Sequence, residues 1–158
     1  MFQIHVHLPK NRWLPGFLIL MDVDGKQLLY DIPCRGKADG SVAEAKGNPD
    51  RDPTLPYGDL PSGLFKEVAV SRFEPPRRTF GPTAILLVGV TGDALKAKKN
   101  GRTGLAVHAN RGDVELMASY GCLRVFDRDM KLITETVGFG RVTVTVFDHD
   151  HWPPQLEN

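Results

Sequence analysis

The first residues alternate. Phe2, Ile4, Val6 and Leu8 fall on one face and Gln3, His5 and His7 on the other, the period of a half-buried strand. "FLILMDVDGKQLLYDIPC" follows, two apolar runs around Asp24-Gly25, which predicts strand, tight turn, strand. Residues 35–63 are polar and rich in Gly, Pro and Asp. They predict a long loop with one helical turn near "SVAEAK", and loops of that length in a compact domain are usually functional or mobile. "LFKEVAVSRF" returns to a strand pattern, "PPRR" predicts a turn, and "TAILLVGV" predicts a buried strand. "GDALKAKKNGR" reads as a loop or short helix, and "GLAVHA" as a short strand ending at His108. "DRDMKLITETVG" predicts a helix capped by Asp127, with an apolar stripe of Met130, Leu132, Ile133 and Val137 and a stop at Gly138 or Gly140. "RVTVTVFD" has strong strand propensity, and Pro153-Pro154 bars its continuation. About seven strands and one good helix predict a mostly β fold.

Composition narrows the picture. A chain of 158 residues with 41% hydrophobic and 25% charged positions is sized for a single domain spanning 1–158. A net charge of +1 gives no field pointing to nucleic acid or an anionic membrane. No apolar run approaches a membrane span. The N-terminal "FLILM" is too short for a signal-peptide core, and two histidines precede it. The expectation is synthesis in the cytoplasm without a cleavable signal. Sixteen glycines and twelve prolines favour turns and short strands.

Two cysteines, Cys34 and Cys122, are too few for a disulfide framework, and no C-x-x-C pair exists. Cys34 reads as a buried strand-end residue, unlinked to Cys122. Cys122 follows Gly121 in "ASYGCLRVFD" and lies shortly before the predicted helix, whose N-terminus would lower its pKa. His108 ends a short strand fourteen positions earlier, and neighbouring strand ends would bring imidazole to sulfur. Cys122 is either a nucleophile at a tight turn or a small buried core residue. His5 and His7, with His149 and His151, alternate near the two termini; they predict solvated strand faces, or a metal site if the terminal strands pair. The basic run Lys96 to Arg102 predicts a solvated loop, or a patch for anionic substrate. No cofactor is implied.

"GRTGLAVHAN…LMASYGCLRVFDRDMKLI" resembles the YkuD-type L,D-transpeptidase catalytic domain, through His108, Ser119, Gly121, Cys122, Leu123 and Arg124. "LPSGLFKEV", "FGPTAILL" and "VGFGRVTVTV" are similar to further stretches of that family in the expected order, over roughly residues 20–147. The chain departs from the family at Ala109 and Asn110 after the histidine and at Tyr120 before the glycine.

The resemblance implies an L,D-transpeptidase-like β-sandwich or incomplete barrel with one main helix. It also implies a cysteine acyltransferase acting on peptidoglycan stem tetrapeptides through a thioester. In that reading Cys122 is the nucleophile, His108 the general base and acid, and the N–H groups of Gly121 and Cys122 the oxyanion site. Ser119 orients the histidine or holds the turn. Arg124 binds a substrate carboxylate or braces the loop, and Tyr120 lines the cleft or is simply an exposed aromatic. The enzyme would act in the periplasm or cell envelope. The alternatives are an exported antibacterial effector of the same fold, with a secretion-system or immunity protein as partner, and a non-catalytic module that binds peptidoglycan or a partner.

Overall fold

A ten-stranded sheet organises the computed structural model, which describes residues 1–156. β1 (Phe2–Pro9), β2 (Gly16–Asp22) and β3 (Gln27–Arg35) form an antiparallel meander. The β2–β3 turn is held by Asp22, whose Oδ1 accepts the N–H groups of Asp24 and Lys26, both at 2.9 Å. The expected helical turn is α1 (Gly40–Ala45), capped by Asp39 through the Val42 N–H. The remaining elements are β4 (Gly63–Leu64), β5 (Val68–Ala69), β6 (Ser71–Arg77), β7 (Gly81–Leu86), α2 (Gly92–Lys99), β8 (Ala106–Ala109), β9 (Leu123–Val125), α3 (Asp127–Val137) and β10 (Arg141–His149).

The strand order is β4-β10-β1-β2-β3-β9-β8-β7-β6, with β5 also on β10. The terminal strands β1 and β10 pair in parallel, and β8 and β9 form the other parallel pair. Closure is partial. Beyond β7 the chain leaves the sheet, and the Val90 N–H donates to Leu64 O while the Lys66 N–H donates to Val88 O, both 2.8 Å. The Phe65 N–H in turn donates to Val144 O on β10 at 2.9 Å. Residues 64–66 thus tie one end of the sheet to the chain running out of β7, and the sheet curls into an incomplete barrel.

Several expectations change. "TAILLVGV" is a strand only to Leu86, because 88–90 turn to bond with 64–66, which leaves Leu86, Val88 and Val90 partly exposed. "PPRR" is not wholly a turn: β6 runs through Pro75 and Pro76 to Arg77. It is the sheet edge, where prolines sacrifice no ladder bond. Asp127 does not cap α3; Phe126 holds that position, and the Asp127 Oδ1 instead accepts the N–H groups of Asn110 and Arg111. Leu132 faces solvent, while Met130, Ile133 and Val137 enter the core. Gly138 ends the helix at φ 58°, as expected.

The main core fills the concave side of the sheet, with Ile4, Val6, Leu18, Leu20, Val107 and Leu123 among its fully buried members and α3 packed over it. A second, smaller cluster of Ala84, Ala106 and Cys122, flanked by Phe73 and Phe80, lies on the other face of β7–β8–β9.

His7 is not on a solvated face. It is 7% exposed and stacked between Phe17 and Phe147, with both centroids at 5.1 Å. Its Nδ1 lies 2.8 Å from the Nε2 of His149, so one of these two nitrogens donates and the other accepts. Among the described residues no group of three or more His, Cys, Asp or Glu is arranged to hold a metal. No helix there is long and apolar enough to cross a membrane.

Burial, then repulsion from His149 and His5, lowers the His7 pKa from 6.5 to about 4. The unfolded chain therefore binds the proton more readily than the folded one between those values. Stability from this cluster is complete above pH 6.5 and is lost as pH falls toward 4. We expect Tm to drop over that window in a melting series from pH 8 down to 4, and His7→Phe to flatten the fall. A wild-type Tm indifferent to pH there would refute the assignment.

Candidate functional site

The site is built by the parallel pairing of β8 and β9. Val107 pairs with Leu123 and His108 with Arg124. Paired residues share a face, and side chains alternate along each strand. Val107 and Leu123 therefore point into the main core. Ala106, His108, Cys122 and Arg124 point the opposite way, toward the second cluster. From strand geometry, two residues along and one strand across, the His108 and Cys122 Cα atoms are about 8 Å apart, within reach of an imidazole leaning along its strand. Ala84 on β7, paired with His108, and Ala106 beside Cys122 are small. A cavity of about 770 Å³ opens on this face, lined by both His108 and Cys122.

His108 is almost fully buried, with Phe80 tilted over it at 5.4 Å. Its Nδ1 is 2.7 Å from Ala109 O. A carbonyl only accepts, so Nδ1 carries the hydrogen and Nε2 holds the free lone pair. Burial lowers the His108 pKa to about 4, opposed by the Ala109 carbonyl and aided by Arg124 and Arg111. Cys122 is 6% exposed, and its Sγ lies 3.5 Å from Gly104 O. Burial pushes the thiol pKa up, while the Ala106 N–H, Arg102 and Arg124 pull it down. At neutral pH the resting pair is thiol and neutral imidazole.

The turn before Cys122 is fixed by Ser119. Its Oγ accepts the Gly121 N–H at 3.1 Å and donates to Cys122 O at 3.0 Å. Ser119 is thus the brace of the turn, with its hydroxyl committed there. The expected oxyanion donor at Gly121 is corrected: that N–H is already taken by Ser119. The helix-terminus argument for Cys122 is corrected as well. β9 separates the cysteine from α3, and the helix field decays within a turn.

Gly121 has φ 101°, and a Cβ there would sit 1.9 Å from Arg102 Nη2 and 2.1 Å from Gly58 O. Arg102 was read from sequence as the end of a solvated basic run, yet it is 6% exposed. It lines the cavity and donates through Nη1 to Pro53 O and Asp59 O, both at 2.7 Å, and through Nη2 to Gly58 O. The signal available in the sequence was the change from lysine to arginine after "NG"; Lys98 and Lys99 stay exposed on α2.

Arg124 also lines the cavity. Its one bond to a backbone carbonyl, Nη1 to Asn110 O, is long at 3.5 Å, and its buried Nε has no partner. The guanidinium is largely unspent. Tyr120 is 61% exposed at the rim, edge-on to Tyr57 with centroids 6.4 Å apart. Arg78 and Arg111 complete a wall of four arginines against a single acid, Asp39. Cys34 is a free thiol buried in the main core, across from Val125, on the opposite side of the sheet from Cys122.

No family model and no curated protein matches the chain. Among solved structures it is similar to the helical cell shape determining protein Pgp2 from Campylobacter jejuni, at 17% identity and a TM-score of 0.55, covering 95% of this chain and 49% of that one. It is also similar to Bdellovibrio bacteriovorus Bd1075, at 16% identity and a TM-score of 0.56, covering 94% of this chain and 48% of that one. The chain spans about half the length of these two structures. At such identities the likeness is one of fold, and the fold is the mostly β, L,D-transpeptidase-like incomplete barrel expected from the sequence.

Gly121→Ala should destabilise the protein, because a left-handed backbone conformation and a backbone carbonyl both oppose the new methyl; strain of this kind costs about 1–3 kcal/mol. A thermal melt checks it, and an unchanged Tm would mean that Arg102 and residue 58 can withdraw from the turn.

Proposed function

We propose that the protein is a cysteine acyltransferase of the L,D-transpeptidase or L,D-carboxypeptidase kind, acting on peptidoglycan stem tetrapeptides in the cell envelope. The observation that carries this reading is the shared face of β8 and β9. That face delivers His108 and Cys122 to one cavity walled by Arg78, Arg102, Arg111 and Arg124. A stem peptide ends in a carboxylate, and a guanidinium fork suits that group. Arg124, with an unpartnered Nε, is the fork best placed to take it.

In this mechanism Nε2 of His108 accepts the thiol proton, and the Cys122 sulfur attacks the carbonyl carbon before the terminal D-alanine. Negative charge moves from sulfur to the carbonyl oxygen, where the Cys122 N–H replaces Gly121 as the local donor. Collapse breaks the C–N bond, and His108 returns its proton to the departing amine. D-alanine leaves and a thioester remains. An amine of a second stem, a free D-amino acid or water then attacks with His108 again as base, which restores the thiol. Burial disfavours both charged forms singly. Thiolate and imidazolium therefore form together, each stabilising the other, when a substrate is present to use them.

The fold's likeness to a cell shape determining protein agrees with a cell-wall substrate. A binding module that retains the fold without turnover is the competing reading, favoured by the depth of the thiol.

The deciding assay is D-alanine release from tetrapeptide muropeptides, with mass spectrometry of the products to identify the acceptor. Cys122→Ala should abolish release and leave the Tm near wild type. His108→Ala should lower kcat about 10²- to 10⁴-fold. Since the imidazole stays neutral down to about pH 4, its acid limb in kcat/KM should lie near that value. Wild-type turnover in Cys122→Ala, or no release by the wild type from any muropeptide, would overturn the proposal.

A further inference from the structure

Arg102 was assigned no role by motif or by spacing. Its surroundings are unusual for a cation. It is buried, its fork is spent on the carbonyls of Pro53, Gly58 and Asp59, and among the described residues no carboxylate lies within ion-pair distance of it. The Asp59 carboxylate acts on it only from beyond ion-pair distance, and its Oδ1 is engaged elsewhere, accepting from Arg51 Nε at 3.2 Å and from the Ala38 N–H at 2.8 Å. Carbonyl dipoles orient and partly solvate the guanidinium, but they leave its net charge uncancelled. A buried charge without an ionic partner is costly, and hydrogen bonds offset that cost only in part.

From this arrangement we infer that Arg102 is a positioning residue that supplies the counter-charge for the Cys122 thiolate. Its guanidinium sits directly against the Gly121 turn, and it lines the same cavity as Cys122. The glycine before the cysteine is required by that approach as much as by its own backbone angle. The same three carbonyl bonds pin residues 53–59, which carry Pro56 and Tyr57 to the cavity rim. One side chain thus couples the shape of the cleft to the charge at its nucleophile. The other groups acting on the sulfur are Arg124 on β9 and the Ala106 N–H; His108 on β8, Asp39, Arg111 and Tyr120 line the same cavity. Arg124 has only a long bond to the Asn110 carbonyl and a buried Nε without a partner, whereas three carbonyls fix Arg102. The inference rests on Cys122 being the nucleophile proposed above.

The test reads the thiol without substrate. Alkylation of Cys122 by iodoacetamide is followed against pH in the full chain, with peptide mass spectrometry separating it from the buried Cys34. Arg102→Met and Arg102→Gln should raise the alkylation midpoint by about one pH unit, or slow the reaction about tenfold at a fixed pH below it. Arg102→Lys keeps the charge but not the fork, and should hold the midpoint near wild type even where stability falls. Three variants with the same midpoint as wild type, or a lysine variant shifted as far as the neutral ones, would overturn the inference. Should the neutral variants fail to fold, Arg102 is left intact and the partner is changed. Cys122→Asp should then melt above Cys122→Asn at pH 7, and equal or reversed order would overturn it. Because no turnover is measured, an inactive wild type with a shifted midpoint defeats only the reading of function. An active enzyme with an unmoved midpoint defeats only the role of Arg102.

Discussion

Parallel pairing of β8 with β9 is the constraint on which the site depends. A parallel pair needs a long crossover; here it is the chain from Asn110 to Cys122, and that crossover carries the motif turn. The pairing register then decides which face each side chain takes. A slip of β9 by one residue would turn Cys122 and Arg124 toward the main core and push Leu123 toward the cavity, parting the cysteine from His108 on β8. The buried apolar set therefore enforces the polar one: Val107, Leu123 and Val125 lock the register, and His108, Cys122 and Arg124 follow.

Electrostatics adds a second layer. The cavity carries four guanidinium groups against one carboxylate, yet His108 and Cys122 both rest neutral. Burial, not the field, sets that resting state. A positive wall lowers the cost of thiolate and raises that of imidazolium, while proton transfer between them leaves the net charge of the pair unchanged. An incoming carboxylate partly cancels the wall and eases the imidazolium. In this reading the substrate helps to tune the base it needs.

Much of this was legible in the chain. Period-two alternation located β1, a short apolar run located β8, strand propensity located β10, and Asp24-Gly25 located the β2–β3 turn, because those signals are local. The meeting of His108 and Cys122 on one face was legible only as a conjecture about neighbouring strand ends and through the motif, since nothing local states which strands become neighbours. What stayed hidden depends on tertiary placement. His7 looked like the solvent side of a half-buried strand, but β1 became central, and Phe17 and Phe147 closed over its second face. "TAILLVGV" looked like one strand, but its last residues bond to 64–66 instead of β8. Arg102 looked like part of a lysine-rich run, and only the folded loop 53–59 reveals the carbonyls that draw it inward. Gly121 was read as a free donor, a reading that Ser119 pre-empts with one hydroxyl.

The two cysteines make an internal comparison that separates depth from reactivity. Both are buried and both have raised pKa values. Cys34 is wholly enclosed by the main core, and the one charge that opposes its burial is Arg12. Cys122 has the Ala106 N–H, Arg102 and Arg124 acting against the same penalty, and it borders an open cavity. Depth alone makes a thiol inert. What distinguishes Cys122 is that the groups able to stabilise its anion are already fixed around it by the fold. The sheet lies between the two sulfurs, so the site can hold unpaired charge and empty volume on one face without loosening the apolar core on the other.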